Sequence, residues 1–345
     1  MTKSLTIIGL MSGTSLDGLD ICSVKFSDNN FKILDTKHIP YLPSFREELD
    51  KAYTMSAIEI AQLDVDFGKY CGNEIKKFIK DSKIDYIASH GQTIFHTPNT
   101  GLTLQIGSGE QIAAITGIPT INNFRTLDVA HGGQGAPLVP IGDRDLFSKY
   151  TYCLNIGGFA NVSTDNNGKR IAWDICPTNI ILNEFAKKYG KDFDENGDLG
   201  NEGYINKNLL SELNSLPFYS QKAPKSLGRE WIEQYITPLI NTYGCSGFDK
   251  MRTLYEHMGF QIGKTLSKKG KTLCTGGGTY NSLLIERIQH YTESEIIIPN
   301  EEIIDFKEAL LFAYLGYLRV LEKPNCLASV TGASKDVCSG TIHLV

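Results

Sequence analysis

Residues Gly9 to Asp20 read GLMSGTSLDGLD, and they continue a short run, Leu5 to Leu10, whose composition favours a β-strand. The strand therefore delivers a loop built from Ser12, Gly13, Thr14, Ser15, Leu16, Asp17, Gly18, Leu19 and Asp20. Glycines let backbone amides approach phosphate oxygens, and hydroxyls add donors. Carboxylates such as Asp17 and Asp20 suit a Mg²⁺ ion held through water, or the receipt of a proton. A plain polar hairpin is the competing reading. Seven polar or glycine residues among the nine from Ser12 to Asp20, directly after a strand, weigh against it.

Two more loops repeat the pattern. Leu154 to Ser163 reads LNIGGFANVS, a strand, a diglycine turn and a second strand, with Asn155, Gly157, Gly158 and Asn161 as candidate nucleotide contacts. Cys274 to Ser282 reads CTGGGTYNS, a strand, the run Gly276-Gly277-Gly278 and a helix start at Asn281. Glycine loses more freedom on folding than any other residue, so a triglycine makes sense where a ligand lies against bare backbone. Three such loops, each after an expected strand, fit a nucleotide gripped from both halves of the chain.

Between these loops Trp173 to Asn179 reads WDICPTN, with Asp174 expected at a strand end and Asn179 capping the next helix. A carboxylate so placed suits a general base, although alone it would pass for a surface aspartate. Phe124 to Pro140 reads FRTLDVAHGGQGAPLVP. Arg125 and Asp128 are spaced for a mutual ion pair, while His131 and Gln134 sit beside glycines, where polar groups grip a hydroxylated ligand. Glu308 stands near the start of a helix expected over Phe306–Leu321. It suits a charge favoured by the helix dipole, or a ligand group.

The rest of the chain fits a two-domain α/β protein. Three early strands end near Thr36, and a capping box at Ser56 and Glu59 opens a helix running to Lys80. Strands and helices then alternate to a glycine- and proline-rich stretch at Asn122–Pro140. A second cycle of three strands followed by alternating elements begins at Tyr152. The expected division is an N-terminal domain of residues 1–130 and a C-terminal domain of residues 131–345 whose tail packs back on the first. A cleft between two related domains is the expected place for ligands.

Composition removes several function classes. The chain has 345 residues, 34 basic and 39 acidic, a net charge of −5 that offers nothing to nucleic acid or anionic membranes. Apolar residues make up 41%, enough for a buried core, and the longest apolar run, Ala309 to Leu318, is about half a membrane span. No signal-peptide pattern opens the sequence, and the 8 cysteines include no Cys-x-x-Cys pair, which together suggest free thiols in the cytoplasm. Look-alike motifs fail. In Leu104–Ala113, Gly107 and Gly109 mimic a dinucleotide fingerprint, but Ile112 stands where the third small residue belongs. Gly263-Lys264-Thr265 and Gly270-Lys271-Thr272 lack the upstream glycine of a P-loop, having Met258 and Thr265 there. His90 and His96 do not have zinc-site spacing.

Taken in order, MSGTSLDGLD, SHGQTIFH, QIGSGEQIA, FRTLDVAHGGQGAPLVP, LNIGGFANVS, PKSLGRE (Pro224 to Glu230), TGGGTYNSLL, FKEALLFAYL and SVTGAS resemble the anhydro-N-acetylmuramic acid kinase family along nearly the whole chain. The resemblance implies two actin-like (ribonuclease H-like) domains of the sugar kinase, actin and heat-shock ATPase superfamily. It implies use of ATP and Mg²⁺ to convert 1,6-anhydro-N-acetylmuramic acid, with water, into N-acetylmuramic acid 6-phosphate during peptidoglycan recycling. Asp174 would be the base that activates water. Ser12, Arg125, Asp128, Gln134 and Glu308 would line the sugar pocket, and the three glycine loops would hold the phosphates. The partners expected are ATP and an anhydro sugar, with a homodimer as the one protein assembly to consider.

One departure stands out. The family's Asp-Thr-Gly-Pro-Gly-Asn is here Asp174-Ile175-Cys176-Pro177-Thr178-Asn179. Side chains at 175, 176 and 178 are expected to narrow the sugar pocket or to change which hydroxyl contacts survive. That suggests a kinase for a simpler anhydro sugar such as levoglucosan as one alternative, and a non-catalytic sensor of ATP or sugar stands beside it as a reading of a different class.

Overall fold

The computed structural model describes residues 4–13, 15–27, 30–80 and 82–345. It divides into one unit of residues 1–146 with 306–345 and a second of residues 147–305.

In the first unit, β1 (Leu5–Ser12), β2 (Gly18–Ser27) and β3 (Asn30–Pro40) form an antiparallel meander. The chain then crosses through α1 (Ala57–Ile79), which opens with the expected Ser56–Glu59 capping box, to β4 (Tyr86–Ser89), parallel to β1. A hairpin of β5 (Gln92–Thr97) and β6 (Leu102–Ile106) stands apart as its own two-stranded sheet. The main sheet continues with β7 (Thr120–Asn122), parallel to β4, and ends with the strand Thr341–His343 paired antiparallel to β7. Ile8, Leu10, Ile21 and Ile87 of this sheet are fully buried with Phe67, Cys71 and Ile75 of α1, the apolar stripe of that helix.

The second unit repeats the plan. β8 (Tyr152–Ile156), β9 (Phe159–Asn166) and β10 (Lys169–Pro177) make the meander, and β11 (Lys271–Thr275) and β12 (Glu295–Ile297) add in parallel beside β8. The strand orders are β7-β4-β1-β2-β3 and β10-β9-β8-β11-β12, the same order read from opposite ends. This matches the doubled, actin-like arrangement the resemblance implies. Helices α2 (Asn179–Lys187), α3 (Gly247–Thr265) and α4 (Ser282–His290) contribute Ile181, Leu254, Met258, Ile262, Leu284 and Ile288 to its core.

The sequence places the division at residue 130, whereas the contacts place it after Leu146. The segment Pro140–Leu146 is tied to the helix Glu301–Val320 within the first unit. Asp143 pairs with Lys307 at 2.8 Å, and Asp145 accepts from the Tyr314 hydroxyl at 2.9 Å. Those partners lie far along the chain, where no local pattern reveals them. Among the described residues, no helix is long and apolar enough to cross a membrane.

Candidate active site

In α/β sheets, ligands gather beyond the carboxyl ends of the parallel strands. In the second unit those ends are Asn155–Gly158 after β8 and Gly276–Gly278 after β11. The pairing registers put Thr275, Asn155, Asn161 and Asp174 side by side on β11, β8, β9 and β10. Directly paired residues share one face of a sheet, so Asn155, Asn161 and Asp174 project together. The rows on either side, Trp173–Val162–Leu154–Cys274 and Cys176–Ala160–Ile156, turn the other way, against the apolar core.

Asp174 lies inside β10 rather than at its end, next to a β-bulge between Asp174 and Cys176. Bulges re-aim side chains and are enriched beside active sites. The carboxylate is half-buried, and its Oδ2 accepts the Leu227 N–H at 2.8 Å. Burial pushes its pKa up, and the Leu227 hydrogen bond pulls it partly back. Among the described residues it makes no ion pair.

The bulge also decides what the unusual residues after Asp174 do. Ile175 is the extra residue, and both it and Cys176 are buried in the core. Thr178 is wholly buried and donates to the Gly157 carbonyl at 2.8 Å. All three side chains are thus turned into the protein, two in the core and one against the diglycine turn. Asn179 is the first residue of α2, and the cap position belongs to Thr178.

The glycines sort by what the fold demands of them. Gly276 has φ +85°, and a Cβ on Gly278 would stand 2.3 Å from Ile156 Cγ2, so both are required by backbone shape and packing. A Cβ on Gly157 or Gly158 would meet nothing nearer than 3.6 Å, and one on Gly277 nothing within 4 Å. These three leave backbone bare without a packing reason. Asn281 is committed elsewhere. Its Oδ1 caps α4 through Leu284 N–H, and its Nδ2 donates to Asp194 O at 3.1 Å and to the Tyr255 hydroxyl at 2.8 Å. These bonds anchor the triglycine loop through both ends of the side chain.

In the first unit the corresponding loop follows β1. Thr14 lies outside the described residues. Gly13, like the diglycine, is uncrowded, its nearest Cβ contact being Ser15 Oγ at 3.5 Å. Leu16 holds a left-handed φ of +53°, a strained conformation for a bulky residue of the kind that collects at ligand loops. Asp17 is exposed and accepts from Ser15 Oγ at 2.7 Å, while Asp20 pairs with His38 Nδ1 at 2.7 Å. Gly18 and Leu19 are buried in β2.

Ser12 ends β1 with its hydroxyl bonded to Tyr41 OH at 2.6 Å and to the Gln92 side chain. The buried His90, after β4, donates Nδ1–H to the Ser12 carbonyl at 3.2 Å and accepts from Arg125 Nη2 at 2.8 Å on Nε2. Burial, reinforced by Arg125, lowers its pKa to about 3, so the ring is neutral. Arg125 also donates to the Gly135 carbonyl at 2.6 Å. It does not pair with Asp128, as their spacing suggests. Asp128 is fully buried and accepts from Gly135 N–H and Thr331 Oγ1, each at 2.8 Å, so it braces the loop instead of lining a pocket. Gln134 is exposed, its backbone N–H bonded to the Thr331 carbonyl at 2.8 Å.

Glu308 is accessible to water and has no hydrogen-bond partner among the described residues. The protein packed around it strips part of its hydration, and this desolvation pushes its carboxyl up. Lys307 and Arg125 draw it down, and Asp20 and Asp17 add to the rise. That response places Arg125, Asp17 and Asp20 within electrostatic reach of Glu308. His90, Gln92, Tyr41 and the Lys225–Leu227 backbone are the supporting groups that sequence reasoning left unassigned. His90 and Gln92 stand in the block SHGQ and Lys225–Leu227 in PKSLGRE, whose internal spacing carries no chemistry, and Tyr41 stands in neither.

The family described as anhydro-N-acetylmuramic acid kinase matches residues 5–344 of this chain. Curated relatives of that name include one from Mannheimia succiniciproducens, 34% identical over 97% of this chain and 98% of that protein. Another, from Vibrio cholerae, is 34% identical over 99% of each. Among solved structures, a ROK family glucokinase from Streptomyces griseus in complex with glucose and AMPPNP is similar, with a TM-score of 0.43 and 12% identity over 90% of this chain and 98% of that chain.

Proposed function

Because this chain belongs to the anhydro-N-acetylmuramic acid kinase family, we propose that it uses ATP and water to convert 1,6-anhydro-N-acetylmuramic acid into N-acetylmuramic acid 6-phosphate and ADP. The observation that carries the assignment of roles is the sheet row Asp174–Asn161–Asn155, which ends beside the bare Gly157-Gly158 turn.

In this reading a water gives its proton to Asp174 as its oxygen attacks the anomeric carbon. The C1–O6 bond of the bridge breaks, and O6 takes the γ-phosphoryl group from ATP with ADP leaving. A pKa raised by burial brings the carboxylate nearer the range in which a base works at neutral pH. The Leu227 N–H fixes one carboxylate oxygen, and the other is without a protein partner among the described residues. Gly13 and Ser15 in the first unit, and Gly157, Gly158, Gly276 and Gly277 in the second, form the phosphate loops, and Asn155 and Asn161 share the sheet row of the base. Arg125, Gln134 and Glu308 contact the sugar, while the buried Ser12 and Asp128 hold the Tyr41–Gln92 contacts and the Arg125–Gly135 loop in shape.

Mg²⁺ takes one or two carboxylates together with phosphate oxygens and water. Asp17 and Asp20 offer that donor set, and no group of three or more ligating side chains is present among the described residues to make a protein cage. These two would hold the ion, which when bound neutralises phosphate charge. Peptidoglycan recycling in the cytoplasm, where ATP is supplied, is the setting this reaction fits. Burial of Ile175, Cys176 and Thr178 against the core and the diglycine turn favours this sugar over levoglucosan.

The test is incubation of the purified protein with Mg-ATP and 1,6-anhydro-N-acetylmuramic acid, with levoglucosan as competitor. ADP and a 6-phosphosugar are expected, with little inhibition by levoglucosan. No turnover on any 1,6-anhydrohexose would overturn the assignment and leave a binding protein.

A further inference from the structure

A threonine at a helix N-cap ordinarily gives its side-chain oxygen to the N–H of the second or third helical residue. Thr178 caps α2 and makes no such bond. Its hydroxyl turns back across the strand end, to Gly157 O at 2.8 Å and Gly158 O at 3.2 Å. Its own N–H goes to Gly158 O at 2.8 Å, and the N–H groups of Asn179 and Ile180 reach Gly157 O and Gly158 O at 3.3 Å each. Four donors, the hydroxyl shared between both acceptors, thus converge on two glycine carbonyls.

The consequence follows from peptide planarity. In a trans peptide the C=O of residue 157 and the N–H of residue 158 point in opposite directions. With the Gly157 carbonyl drawn toward Thr178 and α2, the Gly158 N–H faces away from them. Nothing among the described residues accepts from it. No side chain crowds it either, since an added Cβ at Gly158 would meet only Ile180 Cβ, at 3.6 Å. A diglycine peptide has little intrinsic preference between its two orientations, so an external clamp is needed to hold one.

We infer that Thr178 is a positioning residue for the nucleotide: its hydroxyl locks the Gly157–Gly158 peptide in the orientation that presents the Gly158 N–H to a phosphate oxygen. Residue 178 lies four positions beyond Asp174 on the same strand end, so the clamp also ties the phosphate turn to the segment carrying the base. The inference rests on the kinase reading of the site, and the experiment separates the two.

Thr178→Val keeps the shape of the side chain and removes the hydroxyl, and Thr178→Ser keeps the hydroxyl. Michaelis constants for ATP and for the anhydro sugar, with thermal midpoints, are to be measured for each in the full chain. The Val variant should raise KM for ATP by about two- to tenfold, the range one neutral hydrogen bond supplies. KM for the sugar should stay the same, and the Ser variant should restore ATP KM to within about twofold of the parent. An unchanged ATP KM in a folded Val variant overturns the inference, as do equal rises for both substrates that Ser fails to rescue. If the Val variant does not fold, Thr178→Ala is read by the same criteria. If the parent turns over no anhydro sugar, the kinase reading fails, and calorimetric titration with AMPPNP then decides Thr178 alone: weaker binding by the Val variant upholds the clamp, and equal binding refutes it.

Discussion

Leu227 donates its backbone N–H to Asp174 Oδ2 at 2.8 Å, and two residues earlier Lys225 receives the Asp174 N–H on its carbonyl at 3.0 Å. The segment Pro224–Glu230 therefore holds the carboxylate by backbone alone, without placing a cation beside it. A lysine or arginine in ion-pair contact would drive the pKa down and weaken the base. The arrangement orients the group and leaves burial free to raise its pKa.

A pH dependence follows from that direction. The base works ionised, so activity should fall as pH drops through its pKa. With the carboxyl raised, the acid limb of kcat/KM should lie above the ordinary carboxylate range of about 4. The stability effect has the opposite sense. A carboxyl raised on folding penalises the folded state once ionised, so its cost is absent in acid and grows as pH rises through the folded pKa. Asp174→Asn should accordingly melt no lower than the parent at neutral pH, with any advantage vanishing in acid. Melting curves across pH check this, and a variant much less stable at neutral pH would contradict it.

The glycine loops should separate cleanly by substitution. Gly157→Ala has room for its methyl group and should fold with an unchanged melting temperature while KM for ATP rises. Gly278→Ala would place Cβ 2.3 Å from Ile156 Cγ2, so it should lose about 1–3 kcal/mol of stability through overpacking. Denaturant melts with ATP titrations distinguish the two. Equal stability losses at both positions would remove the argument that the diglycine is bare for a ligand.

His90 should matter to the sugar and not to the nucleotide. It is the acceptor for Arg125 and the donor to the Ser12 carbonyl. His90→Phe leaves the guanidinium without that acceptor. A hydrogen bond to a charged group contributes about 1.5–3 kcal/mol, so KM for the anhydro sugar should rise roughly tenfold or more with ATP KM steady. Because burial holds the ring neutral, with a pKa of about 3, its titration should leave no mark on activity near neutral pH. Two-substrate kinetics test the first statement and the pH profile the second.

Much of the framework is legible in the chain. The strand–glycine loops, the Ser56–Glu59 cap and the doubled succession of elements follow from local chemistry, and the structure has them where expected. What escaped depends on contacts or on single-residue irregularities. A bulge of one residue at Ile175 is invisible to alternation, yet it sends Ile175 and Cys176 into the core. Arg125 and Asp128 look like partners at close spacing, but the arginine finds His90, 35 residues away, and the aspartate finds Thr331, 203 residues away. The triglycine suggests a ligand throughout, whereas two of its members are demanded by backbone shape and by Ile156. The short strands Glu295–Ile297 and Thr341–His343 carry too few residues for a period to show.

The most direct test sets the parent chain and Asp174→Asn side by side with Mg-ATP and 1,6-anhydro-N-acetylmuramic acid. Phosphorus NMR follows ADP and sugar 6-phosphate, and calorimetry measures ATP affinity. The parent should form the two products in equal amounts. The variant should form neither beyond about a thousandth of that rate, a fall within the 10²–10⁴-fold contribution of a positioned base, while binding ATP as tightly as before. A variant that still opens and phosphorylates the sugar at a comparable rate would contradict the role given to Asp174.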